Sequence, residues 1–321
     1  MKKFIFCLLL IVLLPAGAAC STAKDTPQVN IAVLRGPTGI GAAWLMEESE
    51  SGQKNYNFHL TDNPEQVVAL LANGTVDMAA LPTNLAANLY AKTEGQIRMT
   101  AIIARGVLYM LQAGDAVQNW EDLRGRTIYA TARGSNPEYI LYHLLQEHGL
   151  QPGRDVQVEF KNDHAELATL LATGQVDLAM LPEPFVTSAL MQNDNLSMVF
   201  DLSAEWEALG TGSLAMTALV AQNSFIAAEP DSVATLMADM EQSVNYAVNN
   251  VSQAAALCEK HGIIPKAAVA EQAIPRCNLN LTFITGEDMQ GAIAAYFDVL
   301  YQAAPQSMGG ALPDGYFYYT R

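Results

Sequence analysis

The sequence predicts an α/β protein built of two similar lobes, each a mostly parallel sheet flanked by helices, with the chain crossing between them twice. Three observations predict it. The stretch LLANGTVDMAALPTN, residues 70–84, stands again as LLATGQVDLAMLPEP at residues 170–184. Short apolar runs of strand length alternate with helical segments around both copies, the pattern of parallel strands covered on both faces. The chain also has 321 residues, beyond the usual reach of one hydrophobic core, so two bodies of roughly 100–200 residues each are expected.

Taken in order, VNIAVL is the first strand, GIGAAWLMEE a helix, NYNFHL a strand, PEQVVALLANG a helix, VDMAALP a strand, NLAANLYAK a helix and IRMTAIIA a strand. From residue 127 the order restarts as TIYAT, PEYILYHLLQEHG, DVQVEFK, HAELATLLATG, VDLAMLP and FVTSALMQ. A whole β-α-β-α-β-α unit is repeated, with Ile31 corresponding best to Ile128, so the two copies differ by small insertions. A period this long, met twice, describes two lobes; a solenoid needs three or more stacked units.

Residues 107–125 read as a strand leaving lobe one and a turn opening lobe two, and residues 214–222, LAMTALVAQ, as the returning strand. The expected division is a signal peptide at 1–19, a tether at 20–27, lobe one at 28–112 and 215–321, and lobe two at 113–214. Two crossings make a hinge that bends while resisting twist. The last third carries helical patterns in EPDSVATLMADMEQSVNYAVNN, SQAAALCEKHG and TGEDMQGAIAAYFDVLYQAAP, expected to pack back on lobe one.

Lys2 and Lys3 precede the apolar run FIFCLLLIVLL, then Pro15 and AGAAC. This is the layout of a signal peptide, too short for a stable span of roughly 20 apolar residues. Gly17-Ala18-Ala19-Cys20 resembles a lipobox, with Gly17 where Leu is usual, and implies a bacterial lipoprotein lipidated on Cys20. Cleavage after Ala19 leaving a free cysteine is the alternative. The formal net charge is −16, two units lower once Lys2 and Lys3 are removed, which excludes a nucleic-acid binder. Beyond the signal only Cys258 and Cys277 remain. In an exported chain they are expected to form a disulfide worth about 3 kcal/mol, two independent buried thiols being the alternative.

In an open α/β sheet, ligands sit beyond the carboxyl ends of the strands. RGPTGIG (35–41) and ARGSNPEY (132–139) both follow a first strand and precede a helix. Their glycines permit close approach, and the helix start offers free N–H groups to an anion. Thr38 and Ser135 could equally be plain helix caps. After the third strands stand Thr83-Asn84 in lobe one and Glu183-Pro184 in lobe two. Thr83 is a preferred cap type, whereas Glu183 in the matching place either pairs with a helix dipole or accepts a hydrogen bond from a ligand or from an arginine across the cleft. Arg35, Arg105 and Arg133 lie at strand ends near the cleft, as ion-pair partners or as ligand contacts. Asp77 and Asp177, at the far end of the third strands, are structural. No GxSxG, HExxH or CxxC motif occurs, and the histidines are scattered.

RGPTGIG, NGTVDMAALPTN, WEDLRGRTIYATARGSNPEY and GQVDLAMLPEPFVT together resemble the type II solute-binding proteins of ABC importers, in the nitrate, sulfonate, taurine, bicarbonate and thiamine-precursor branch. The resemblance covers about residues 28–320 and implies the two-lobe type II periplasmic-binding-protein fold. It implies no enzyme and no cofactor or metal. It implies instead a monomeric receptor, anchored outside the cytoplasm through its lipid, that carries a small solute to an ABC permease and ATPase. Its ligand residues carry over to Gly36, Pro37, Thr38, Thr83, Asn84, Gly134, Ser135, Asn136 and Glu183, with Arg105 added from the strand ends. The expectation is that Thr38 and Asn84 bind first and Ser135 and Glu183 complete the site. A sensor for a receptor kinase and an exported enzyme are the competing readings; the pyrimidine synthases of this fold carry a cysteine-rich cluster with no counterpart here. Lack of a concentrated basic cleft speaks against bare nitrate and leaves a planar nitrogenous compound or an organosulfonate.

Overall fold

The computed structural model describes residues 27–210, 212–279 and 283–320. The signal segment, Cys20 and the tether up to residue 26 lie outside the described residues.

The strands in chain order are β1 (Val29–Leu34), β2 (Tyr56–Thr61), β3 (Met78–Pro82), β4 (Ile97–Ala104), β5 (Leu108–Ala113), β6 (Thr127–Ala130), β7 (Gln157–Phe160), β8 (Leu178–Pro182), β9 (Leu196–Asp201) and β10 (Thr217–Gln222). They form two five-stranded sheets, β2-β1-β3-β10-β4 and β7-β6-β8-β5-β9. In each sheet four strands run in one direction, and one strand from a crossing, β10 or β5, runs antiparallel between two of them.

The helices are α1 (Pro37–Glu50), α2 (Pro64–Ala72), α3 (Thr83–Lys92), α4 (Asn136–Glu147), α5 (His164–Ala172), α6 (Phe185–Leu190), α7 (Leu202–Ala208), α8 (Asn223–Ala228), α9 (Pro230–Asn249), α10 (Val251–Lys260), α11 (Ala267–Ala273) and α12 (Asp288–Ala303). No helix among the described residues is long and apolar enough to cross a membrane.

The repeat is visible in the pairing. Ala32 pairs with Ala79 in the first sheet and Tyr129 with Ala179 in the second, which makes Tyr129 the counterpart of Ala32. The strand-to-helix start is also repeated: Asn63 accepts from the N–H groups of Glu65 and Gln66 at α2, and Asp163 from that of Glu166 at α5. Each cap satisfies N–H groups that would otherwise have no partner in the first turn. β3 and β8 are apolar throughout because both faces of a central strand are covered.

Three expectations are corrected. Leu108–Ala113 belongs to the second sheet, between β8 and β9, so the first crossing is Arg105–Val107 rather than the 112/113 boundary. Leu108–Gln112 are buried without a break, as in a strand held between two neighbours. The C-terminal helices do not pack on lobe one alone: α9 and α10 lie on α1, but α12 also reaches α4 and α11 reaches α6 in lobe two. Cys258 and Cys277 are free thiols, not a disulfide. Both are fully buried in the lobe-one core, where each packs as a small apolar side chain. Burial pushes the Cys258 thiol up to about 12 and Cys277 well above its ordinary value.

The interior divides into three clusters. One runs through both lobes, from Leu81, Met99 and Ile102 to Ile128, Ile140 and Leu144, with Trp206 and Tyr296 among its members. A second, with Ile31, Ile40, Leu236 and Cys258, belongs to lobe one, and a third, with Leu167, Leu171 and Val186, to lobe two. Trp206 of α7 and Tyr296 of α12 meet edge to face at 5.8 Å. Truncating such a buried aromatic leaves a cavity costing about 3–5 kcal/mol.

Candidate functional site

The carboxyl ends of β1, β3, β6 and β8 lead into α1, α3, α4 and α6, the end at which an open α/β sheet holds its ligand. Gly36 has φ 89°, a left-handed conformation that a side chain would resist. A Cβ there would stand 3.9 Å from Pro184 Cδ, so the lobe-one and lobe-two loops are within van der Waals reach. Pro37 opens α1. The Thr38 hydroxyl is not a cap; it donates to the Leu34 carbonyl at 2.7 Å.

The repeated third-strand ends fasten the two crossings. Thr83 donates its N–H to Met216 O at 3.0 Å and its hydroxyl to Ala215 O at 2.9 Å. Glu183 donates its N–H to Val107 O at 3.0 Å. Thr83 is therefore the first residue of α3 with its hydroxyl spent on the hinge, not the cap expected from its type.

The loop after the first strand differs in length. Two residues, Arg35 and Gly36, separate β1 from α1, and five, Thr131–Ser135, separate β6 from α4. The longer loop holds Ala132 at φ 60° and Gly134 at φ 77°. It is self-tied: Ser135 hydroxyl donates to Ala132 O at 2.6 Å, Gly134 N–H to the Glu138 carboxylate at 2.5 Å, and Tyr139 hydroxyl to Gly134 O at 3.0 Å.

Two predicted residues stand apart. Asn136, in the first turn of α4, is 4% exposed, and neither its Oδ1 nor its Nδ2 has a partner among the described residues. Asn84, in the first turn of α3, is 5% exposed. A buried amide left without a partner costs about 1–3 kcal/mol. Asn136 is such a group, and a ligand that reached it would supply the missing partner.

The arginines sort differently from expectation. Arg35 donates to Asp62 at 2.7 Å and to Gly262 O at 2.8 Å, away from the seam. Arg133 lies exposed over the Phe160 ring at 5.5 Å. Arg105 pairs with Glu207 at 3.2 Å through Nη1, while its buried Nε has no partner among the described residues. The arginine that crosses to Glu183 is Arg276, which sequence reasoning missed. Its Nε donates to Glu183 Oε1 at 2.5 Å and its Nη2 to the Thr187 hydroxyl. Thr187 in turn donates its hydroxyl and N–H to Glu183 at 3.0 and 3.2 Å. Glu183 is 1% exposed, and burial raises its carboxyl above the usual range against the pull of Arg276. The only sequence signal was a cation, in IPRC, set inside an apolar stretch.

Glu47, Glu50 and His261 bring ligand atoms within 4.8 Å of one another. The Lys260 ammonium, 2.5 Å from Glu47 and 3.1 Å from Glu50, already supplies the positive charge there.

Residues 42–264 match the family profile of ABC transporter, phosphonate, periplasmic substrate-binding proteins. A protein of Brucella abortus named as a binding protein is 24% identical over 213 residues, 66% of this chain; the match spans 63% of that relative's length. Among solved structures, an ABC transporter protein from Parabacteroides distasonis superposes with TM-score 0.77 at 25% identity, covering 91% of this chain and 99% of that one. The periplasmic aliphatic sulphonate binding protein of Escherichia coli superposes at 0.70 and 16% identity, covering 90% and 94%. The alkanesulfonate-binding protein of Xanthomonas axonopodis pv. citri, bound to MOPS, superposes at 0.64 and 17% identity, covering 91% and 96%. These are binding proteins, not enzymes.

Proposed function

From its membership of the phosphonate-type periplasmic substrate-binding family of ABC transporters, to which the chain belongs, we propose that it captures a small organic oxyanion, a phosphonate or sulfonate, between its lobes. Asn136 carries this reading, because it is a buried amide with no partner among the described residues, and Asn84 is a second buried amide at a helix start. Around them the first N–H groups of α1, α3 and α4 supply positive dipole ends, which hold an anion without a full counter-charge. That suits a ligand whose carbon body is buried at the seam better than bare nitrate, whose strong hydration a cleft with few free cations would not replace.

Gly36, Pro37 and Gly134 shape the walls, and Thr38, Thr83 and Ser135, having donated their protons to the backbone, offer only hydroxyl lone pairs. Arg105 Nε is the remaining donor of the predicted set. The receptor is tethered outside the cytoplasm through lipidated Cys20, works as a monomer, and presents its closed form to an ABC permease and its ATPase. Closure follows from differential contact: a ligand that touches both lobes favours the closed form, and one that touches a single lobe shifts nothing.

The test is calorimetric titration with methylphosphonate, 2-aminoethylphosphonate, MOPS, ethanesulfonate, inorganic phosphate and nitrate. At least one of the carbon-bearing anions binds, and Asn84→Ala and Asn136→Ala each weaken it about tenfold or more, the loss of one hydrogen bond to a charged group. Binding by none of them, or by nitrate alone, overturns the reading, as does unchanged affinity in both variants.

A further inference from the structure

The two sides of the seam are built differently. On one side a single apolar core continues from lobe one into lobe two, where α12 meets α4 and Trp206 of α7 packs on Tyr296. On the other side the core around α1, α9 and α10 and the core around α5 and α6 remain separate. What joins them is the contact of α11 with α6 and a short polar segment following α11. Arg276 donates to Glu183 and Thr187, Tyr109 of β5 donates its hydroxyl to Arg276 O at 2.7 Å, and Asn278, held at φ 50°, donates to Gly106 O at 2.9 Å.

We propose that Arg276 is a clasp that closes the lobes on its own account, so that solute capture acts on an equilibrium already shifted towards the closed form. Glu183 loses its water only while the guanidinium stands against it, because a buried carboxylate is tolerated when paired and costly when alone. Opening the seam on this side breaks the pair and lets water reach both groups, so making the ion pair and closing the cleft are one event. The continuous apolar core on the other side cannot part without exposing large side chains, and it serves as the pivot. The order of stiffness is set by chemistry: the apolar side bends, the polar side opens. In this scheme Arg276 and Glu183 position the lobes, and the solute's own contacts are made elsewhere in the seam. The inference rests on the two-lobe reading and not on the chemical class of the solute.

The experiment needs no solute. Spin labels are placed at Asn73→Cys and Thr173→Cys, exposed counterparts at the ends of the lobes far from the seam, in the full chain with Cys7 and Cys20 replaced by serine; Cys258 and Cys277, buried with raised thiol pKa values, stay unlabelled. Pulsed electron–electron distance distributions are compared for the parent, R276Q, R276K, E183Q and E183Q/R276Q. The parent shows a dominant short-distance population. R276Q and E183Q each move the majority to longer distances, R276K falls between, and the double variant opens no further than either single one, because both act through one contact. Should R276Q not fold, as judged by circular dichroism, E183Q and R276K carry the same comparison. Superimposable parent and variant distributions overturn the proposal, and so does additive opening in the double variant.

Discussion

Gly106, in the first crossing, is the position where one methyl group should do the most damage. A Cβ built on its backbone stands 2.4 Å from Ser203 Oγ, 2.9 Å from Leu214 Cδ1 and 3.1 Å from Leu214 Cβ. Neither neighbour can swing into solvent, since Ser203 is 6% exposed and Leu214 is fully buried. The Gly106 carbonyl also accepts from Ser203 at 2.8 Å and from Asn278 at 2.9 Å, and any shift of the crossing strains both bonds. Overpacking of this kind costs about 1–3 kcal/mol, and weakening one hydrogen bond adds about 1 kcal/mol. Gly106→Ala is therefore expected to destabilise the protein by about 2–4 kcal/mol. In urea, with a slope of roughly 3 kcal/mol per molar for a chain of this size, the midpoint falls by about 1 M. The transition stays single, because one apolar cluster belongs to both lobes. Adding Ser203→Ala removes the nearest clashing atom and recovers part of the loss. A midpoint unmoved in Gly106→Ala, or a second variant with no recovery, would show that the crossing relaxes freely and that the packing argument fails.

Gly291 gives the opposite sign: it is exposed in the interior of α12 with open space where a Cβ would go, so Gly291→Ala should stabilise the fold by about 0.5–1 kcal/mol, and a lower urea midpoint would refute this. Asp155 carries a pH prediction. Hydrogen bonds from Arg154 and from the Gln151 N–H hold its carboxyl down at about 2, below its value in the unfolded chain of about 3.9. Its contribution is complete above about pH 4 and is lost as pH falls towards 2. Asp155→Asn should accordingly flatten the acid limb of a stability-against-pH curve in that window alone; an unchanged limb would remove Asp155 from the account.

The parts of the fold that were legible in the sequence are those specified locally. Asn63 and Asp163 announce α2 and α5 because a cap acts within three residues, and β3 and β8 are read from continuous apolar runs bounded by turn residues. The place of β5 was not legible: LYMLQA fits a strand in either lobe, and only pairing with β8 and β9 decides. β9 escaped notice because an edge strand with Ser197 and Met198 exposed has little periodicity to show. At the seam, Glu183 was recognisable as a carboxylate where a cap was due. Its partner was not, because Arg276 lies 93 positions away in a turn with no counterpart in the repeat. The RGPTGIG glycines divide in meaning as well. Gly36 supplies the positive φ, while Gly39 and Gly41 stand where a Cβ would press on Ile263 and Val244, a packing need that resembles a ligand loop in one dimension.

The place of β10 has a consequence for how the chain can be made. It lies between β3 and β4, so these two strands are not joined until it arrives. All five strands of the second sheet are present by Asp201, whereas the first sheet lacks its penultimate member until Gln222. As the polypeptide emerges from its amino end, the half that begins later is the first that can finish, and the earlier half must wait with a gap in its middle. A chaperone, or a slow step in synthesis, would have its greatest effect on that interval.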